Sequence, residues 1–236
     1  MCCFDKTGTI TGEDLIVEGI AGVECMNSSS AYHKAKRPTF AHSPSNPRKL
    51  TPVHETTMET TLTLASAHAL VLLDEAGVVG DPMEKTTLDA LGWSLSSGDT
   101  IGPAPPAKEK KRLELAAPVK KGVVKPAEPL PTAPKPQSPH KAVVQIKRRY
   151  QFSSALKRMS TVSSIQTPSE PKRKLLVSVK GAPETLKDMY ISVPAEYEKT
   201  YKWYAQQGSR VLALGYKWLD GVSPDQVRKQ LVIRRV

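Results

Sequence analysis

Cysteine is scarce. Cys2, Cys3 and Cys25, two of them adjacent, supply neither a disulfide framework nor metal-ligand spacing, so they read as reduced thiols of a cytosolic compartment, with no disulfide partner. The five histidines (His33, His42, His54, His68, His140) have no second ligand at useful spacing, which excludes zinc, and they are expected in polar loops or on a helix. No apolar run approaches the roughly 18–20 residues of a membrane-crossing helix. Met1-Cys2-Cys3-Phe4 meets Asp5 and Lys6 at once, leaving no apolar stretch for a secretory leader. The chain as given is therefore expected to be soluble. Aromatics are few as well, 6% of 236 residues with 39% hydrophobic, enough for one core spread over one or two domains. Net charge is +11, but twelve Lys or Arg against three Glu, and ten of the twenty prolines, fall between Pro103 and Arg149. The remainder is close to neutral. A globally basic nucleic-acid binder is thereby excluded, and the missing aromatic interleaving argues against nucleic acid as partner of the basic stretch.

Along the chain, a short apolar run leads into Asp5-Lys6-Thr7-Gly8-Thr9, the pattern of a buried strand that delivers a carboxylate to a glycine turn. Leu15-Ile16-Val17 and Ile20 continue as extended structure, and about 27–52 is a Ser/Pro/His/Lys-rich insertion. From Thr56, Leu62, Ala65, Ala69 and Leu72 or Leu73 fall at helical spacing, predicting a helix that Gly77 and Gly80 end. Asp81-Pro82-Met83-Glu84 reads as a second helix start, Asp81 as N-cap, with Met83, Leu88 and Leu91 buried. About 97–142 is Pro-, Lys- and Ala-rich without Phe, Trp or Tyr, and such a composition cannot bury enough surface to offset its ordering entropy. It is expected to be a disordered basic loop. Leu175–Val179 predicts a strand, Pro183 a helix start, and Tyr197, Tyr201 and Tyr204 one face of a further helix closed by Gly208. Arg210–Leu214 predicts the next strand. The class is mixed α/β.

The chemistry begins at Asp5. A carboxylate at a strand end, followed by Thr7, Gly8, Thr9 and Thr11, suits nucleophilic attack on a γ-phosphoryl group, although the same residues also make an ordinary surface turn. Asp5-Lys6-Thr7-Gly8-Thr9 resembles the phosphorylation signature of P-type ATPases, whose Asp becomes an aspartyl phosphate. Gly80–Lys85, Phe152–Ser160, Val179–Glu184 and Gly208–Leu214 resemble, in the same order, four segments of that family's nucleotide-binding domain. Cys2-Cys3 before Phe4-Asp5, Ala21-Gly22-Val23, Phe152–Ser160 and Arg210–Lys217 are similar to the A branch of the fifth subfamily, the transmembrane-helix translocases of the endoplasmic reticulum.

The resemblance implies ATP and Mg²⁺ as ligands. It implies Asp5 as phospho-acceptor, Thr7 and Thr9 near the phosphate, and Asp5 with the Thr7 carbonyl as metal ligands. Glu84 would lie by adenine, Phe152 stack on it, Lys157 lie close to the nucleotide, Lys180 line the pocket base and Arg210 reach the phosphates. Other roles stay open: Glu84 closing a capping box with Asp81, Phe152 in the core, Lys180 as a solvated strand end, Arg210 offsetting a helix dipole, and Lys157 with Arg158 on a solvated face. Thr11-Gly12-Glu13 spells the family's dephosphorylation triplet but reads as a turn at this place. The implied layout is residues 1–22 as the start of a Rossmann-like phosphorylation domain, represented by one orphan strand, and 23–236 as the nucleotide-binding domain, an antiparallel sheet flanked by helices. The Gly-Asp-Gly-x-Asn-Asp loop that supplies Mg²⁺ ligands is not among the 236 residues, so the piece is expected to bind ATP without turning it over. The longer protein would face the cytosol at the endoplasmic reticulum membrane, with transmembrane-helix polypeptides as substrate. A free-standing nucleotide-binding or interaction module without ATPase activity is the alternative.

Overall fold

The computed structural model describes residues 15–23, 48–74, 77–104 and 140–220. Its centre is a six-stranded antiparallel sheet. The strands are β5 (Trp93–Ser96), β6 (Thr100–Pro103), β7 (Val143–Ser153), β8 (Arg158–Thr167), β9 (Glu170–Gly181) and β10 (Ala213–Leu219), and they lie in the order β10-β9-β8-β7-β6-β5. Each pairs with its neighbour in the chain, so the sheet is a meander; β5–β6, β7–β8 and β8–β9 are hairpins, while β9 and β10 are joined through two helices. Two short antiparallel pairs stand outside it: β1 (Ile20–Ala21) with β2 (Leu50–Thr51), and β3 (Val71–Leu73) with β4 (Gly77–Val79).

Period-two alternation gives the long strands two different faces. On β9, Leu176, Ser178 and Lys180 share one face, while Leu175, Val177 and Val179 share the other. The first face is covered by α1 (Met58–Ser66) and α2 (Pro82–Leu91), whose Leu62, Ala65, Leu88 and Leu91 pack with Trp93, Ile101, Val144, Ile165 and Leu176 in the main core. Against the second face, near the Val179 end, lie α3 (Pro183–Lys187) and the start of α4 (Tyr197–Gln206), with Leu186, Met189 and Tyr197 around Val179 and Ala213. Asp81 caps α2 as expected, its Oδ1 accepting the Met83 N–H at 2.8 Å, and Gly92 ends the helix in the left-handed region at φ 68°.

Five expectations change. The helix predicted from Thr56 into the seventies stops at Ser66, and Val71–Leu73 is a strand. Tertiary partners stop it: Thr161 donates to the Ser66 carbonyl, Arg149 to the carbonyls of His68 and Leu70, and His68 Nδ1 accepts the Leu70 N–H. Carbonyls and amides so engaged no longer belong to a helical ladder. The loop expected over 97–142 starts too early, because Thr100–Pro103 is a sheet strand and Ile101, His140 and Ala142 are buried; 105–139 lies outside the described residues. Likewise Leu50–Thr51, inside the insertion expected over 27–52, pairs with Ile20–Ala21, and 24–47 lies outside the described residues. The strand expected at Arg210 begins only at Ala213, which pairs with Gly181, the last residue of β9. Beyond that point residues 210–212 have no strand to join. His68 and His140 are buried, not in polar loops. The predicted strand before Asp5 lies outside the described residues. Among the described residues no helix is long and apolar enough to cross a membrane.

Candidate functional site

The end of the sheet where β9 meets α3 gathers most of the predicted site. Lys180 stands on the helix-covered face of β9, opposite Met159 on β8 and Leu214 on β10. Its ammonium donates to Glu84 Oε1 at 2.7 Å, a contact between residues 96 apart in sequence. Glu84 sits in the first turn of α2 and is 8% exposed. Its second oxygen, Oε2, accepts the Ala69 N–H at 2.8 Å. Both carboxylate oxygens therefore reach out of the helix, to the sheet and to the α1–β3 turn. The capping box with Asp81 is not formed.

Gly181 explains how the next piece comes close. A Cβ there would lie 2.5 Å from the Lys157 carbonyl oxygen and 2.7 Å from the Arg158 Cβ, so only glycine lets the β7–β8 hairpin turn press against the end of β9. The contact is sealed by the Ala182 N–H, which donates to the Lys157 carbonyl at 2.9 Å. Lys157 itself occupies the left-handed region at φ 48°. Its ammonium lies 3.3 Å from Glu184 Oε1 in the first turn of α3, both groups half-exposed. Glu184's carboxyl is held below its usual range, first by its own backbone N–H and then by Lys157.

Phe152 precedes the same hairpin turn. Register slips between Tyr150 and Ser153, where three steps on β7 face two on β8. Phe152 is 62% exposed, so it is not a core aromatic. Arg210 is exposed in the segment between α4 and β10, beyond Gly208, which closes α4 at φ 87°. Glu84 and Lys180 are thus in direct contact, and Lys157 is joined through Gly181 and Ala182 to the same strand end. Phe152 lies near the turn end of β7, two strands from β9, and Arg210 lies three residues before β10, the strand that pairs with β9. Asp5, Thr7 and Thr9 lie outside the described residues, as does Thr11-Gly12-Glu13. Among the described residues no three His, Cys, Asp or Glu side chains converge on a metal position.

Several residues around the site escaped the sequence reading. Arg149 forms a two-pronged pair with Asp99 at 2.8 and 2.9 Å and also donates to the carbonyls of His68 and Leu70, each at 3.2 Å. His68 is 2% exposed and its pKa is lowered to about 4, by burial first and then by Arg149 and Lys180. Ser66 Oγ donates to Ser178 Oγ at 2.7 Å, and Thr161 Oγ1 to the Ser66 carbonyl at 3.0 Å. The Gly98-Asp99 pair was a visible turn signal. Nothing in the sequence shows that Arg149 faces α1. On the opposite sheet face a cavity of about 160 Å³ is lined by Tyr150, Ser160, Val179 and Met189 among others. That is smaller than the roughly 300–1,000 Å³ of small-molecule sites, so it does not suit a nucleotide.

No protein-family model matches the chain. Curated relatives do. The chain is 43% identical over 224 residues to the endoplasmic reticulum transmembrane helix translocase of Aspergillus fumigatus, covering 93% of this chain and 14% of that protein. It is 40% identical over 229 residues to the translocase of the same name in Schizosaccharomyces pombe (95% and 15%), and 35% over 227 residues to that of Saccharomyces cerevisiae (96% and 14%). The chain therefore spans about one seventh of the length of the relatives it matches. With the phosphorylation signature and four ordered nucleotide-domain segments in the same 236 residues, the chain belongs to the P-type ATPases, as a segment of the branch that holds the endoplasmic reticulum transmembrane helix translocases.

Proposed function

We propose that the chain is the ATP-binding and phospho-acceptor portion of a P-type ATPase that couples ATP hydrolysis to the extraction or translocation of transmembrane helices at the endoplasmic reticulum. The observation that carries the ATP-binding part is the Glu84–Lys180 contact. Two segments picked out separately, on α2 and on β9, meet at one end of the sheet, with the exposed Phe152 ring and the Lys157 turn on the adjoining hairpin. A mostly buried ammonium with one carboxylate neighbour remains a good donor to an anionic or carbonyl-rich ligand, because lowered dielectric strengthens each contact it makes. An exposed phenyl ring on the adjoining hairpin offers a stacking face for a base. Arg210 adds a cation suited to phosphates.

Asp5 supplies the chemistry. A carboxylate oxygen attacks the γ-phosphorus, the bond to the β,γ-bridging oxygen breaks, and ADP leaves; water later cleaves the acyl phosphate and regenerates the carboxylate. Mg²⁺, held by Asp5 and the Thr7 carbonyl, would neutralise phosphate charge. The loop Gly-Asp-Gly-x-Asn-Asp, which would complete the metal's ligands, is not among these 236 residues, so the piece alone binds ATP without turnover. The helix substrate and the membrane belong to the longer polypeptide.

The test is a calorimetric titration of ATP into the 236-residue chain, alongside incubation with γ-labelled ATP and Mg²⁺ and an acid quench. Binding is expected, and Lys180→Ala should weaken it about tenfold or more, since a charged hydrogen bond contributes roughly 1.5–3 kcal/mol. Little hydroxylamine-sensitive label is expected. No ATP binding would remove the reading of the site. Stoichiometric label that Asp5→Asn abolishes would show the piece to be catalytically complete.

A further inference from the structure

The turn that joins α1 to β3 carries an unusual concentration of polar partners. Between Ser66 and Leu70, three carbonyls and two amides leave the helical pattern, and each is met by a side chain: Ser66 O by Thr161, His68 O and Leu70 O by Arg149, Ala69 N by Glu84, and Leu70 N by His68. Of these, Arg149 does most. One guanidinium holds two carbonyls of the turn and, with its remaining N–H groups, both oxygens of Asp99.

Two features place Arg149 there, and both are departures from regular structure. Ile146 pairs with Ser163 and Arg148 with Val162, so β7 spends two steps where β8 spends one, and Lys147 is the extra residue of a bulge. In an unbroken strand, Ile146 and Arg149, three apart, would face opposite ways. The bulge puts both on the helix-covered face, Ile146 in the core and Arg149 under the turn. Asp99, at the β5–β6 turn, adopts φ 55°, a conformation uncommon for residues other than glycine, and its carbonyl accepts the Ile146 N–H at 3.0 Å. A bulge and a left-handed aspartate that converge on one ion pair are costly unless the pair has a use.

We propose that Arg149 and Asp99 are positioning residues for the nucleotide pocket. The pair fixes the 68–70 turn so that the Ala69 N–H anchors Glu84, and Glu84 in turn holds the Lys180 ammonium at the pocket base. This rests on Lys180 being a nucleotide contact. Neither Arg149 nor Asp99 touches the nucleotide. Among the described residues Lys180 has one carboxylate partner, whose other oxygen accepts the Ala69 N–H, so the turn's position is transmitted to the ammonium in two hydrogen bonds.

The test uses the 236-residue chain with Arg149→Lys, which keeps the charge and loses the fork, and Asp99→Asn, the milder change, each in the wild-type and the Lys180→Met background. ATP affinity is read by calorimetry, and amide hydrogen exchange at Ala69 and at Val177 by NMR. Both variants should weaken ATP binding, Arg149→Lys by about tenfold. The loss should vanish in the Lys180→Met background. Ala69 should exchange faster while Val177, in the middle of β9, stays protected. Should Arg149→Lys not fold, Asp99→Asn carries the same readings with a smaller loss. Equal losses in both backgrounds, no loss in either, or unchanged Ala69 exchange would each overturn the proposal. If instead the wild type binds ATP and Lys180→Met binds equally well, it is the underlying role of Lys180 that fails.

Discussion

The face of the sheet covered by α1 and α2 has two halves built on different physics. Under the middle of the helices, Leu62, Leu91, Ile101, Val144 and Leu176 are fully buried and pack together in one apolar cluster. A few residues farther along the same strands, at the Ser66–Leu70 turn, the buried groups are Ser66, His68, Glu84, Thr161 and Ser178, nearly all of them hydrogen-bonded to one another or to the turn. An apolar half is tolerant: any set of side chains of the right volume gives most of its stability. A polar half is not, because each donor or acceptor removed leaves its partner buried and unsatisfied. Such a half contributes no more stability than an apolar one, so its presence at one end of the sheet marks where geometry, not stability, is required.

The largest expected effect lies in the polar half. Glu84→Ala strips the partner from a mostly buried ammonium and from Ala69 N, and should lower unfolding free energy by about 3–5 kcal/mol in a denaturant melt. The double change Glu84→Leu with Lys180→Met removes both charges and should recover most of that loss while leaving ATP binding weakened by about tenfold or more. A double variant as unstable as Glu84→Ala would mean that the pair is needed for folding and would erase the distinction between the halves. Glu198→Ala is the control. That carboxyl is drawn down to about 2 by hydrogen bonds from Lys187 and then Lys202, yet it is solvated, and its loss should be barely measurable.

In the apolar half, Leu176→Ala should cost about 2–5 kcal/mol, with the spread set by how far the surrounding core relaxes. ATP affinity, measured well below the melting temperature, should be unchanged. A tenfold change in affinity from this substitution would show that the two halves are mechanically joined.

His68 sharpens the comparison through pH. Its folded pKa of about 4 lies below the ordinary value of 6.5, because burial, Arg149 and Lys180 all disfavour the charged ring, with Asp99 opposing them. Between those values the unfolded chain binds the extra proton and the folded chain does not, so stability rises with pH across the window and is lost as pH falls from about 6.5 towards 4. The full shift corresponds to about 3 kcal/mol. His68→Asn keeps an acceptor for the Leu70 N–H without a titrating group. The difference between wild type and His68→Asn, followed by thermal melts from pH 7 to 4, isolates this residue from the carboxylates that titrate lower. Parallel profiles for the two proteins would remove His68 from the account.

The legibility of these halves differs for a physical reason. The short, nearly continuous apolar run at Leu175–Val179, the Asp81-Pro82 helix start and the Tyr197–Tyr204 face could be read because their signals are local. The helix from Thr56 was read too long because Ala69 and Leu72 keep helical spacing, while what ends the helix at Ser66 comes from Arg149, Thr161 and Glu84, 15 or more residues away. Composition misplaced the start of the basic segment, since Thr100–Pro103 becomes a strand only by pairing with β5 and β7. In the site, Glu84, Lys180 and Lys157 were found as members of short ordered strings, but Glu84's hold on Ala69 was not. Arg149 was invisible because a bulge changes the face of every residue after it, and no local pattern announces one extra residue.

Phe152→Ala should have the smallest effect on stability and one of the larger effects on binding. The ring is 62% exposed at the end of β7, beside a hairpin turn, and belongs to none of the hydrophobic clusters of the described residues. Surface substitutions of that kind usually stay within about ±0.5 kcal/mol. An exposed ring gains its value only when something covers it. Stacking of a base on an aromatic is worth roughly 1–3 kcal/mol, which predicts ATP binding weaker by about ten- to a hundredfold in Phe152→Ala. Phe152→Tyr keeps the π-face and should bind nearly as well as wild type. The three proteins are compared by denaturant melts without nucleotide and by ATP titration at one salt concentration. Superimposable melts with a large loss of affinity in the alanine variant alone would place the ring in the pocket. A destabilised alanine variant with unchanged affinity would make Phe152 a packing residue and leave the Glu84–Lys180 end of the sheet without its stacking platform.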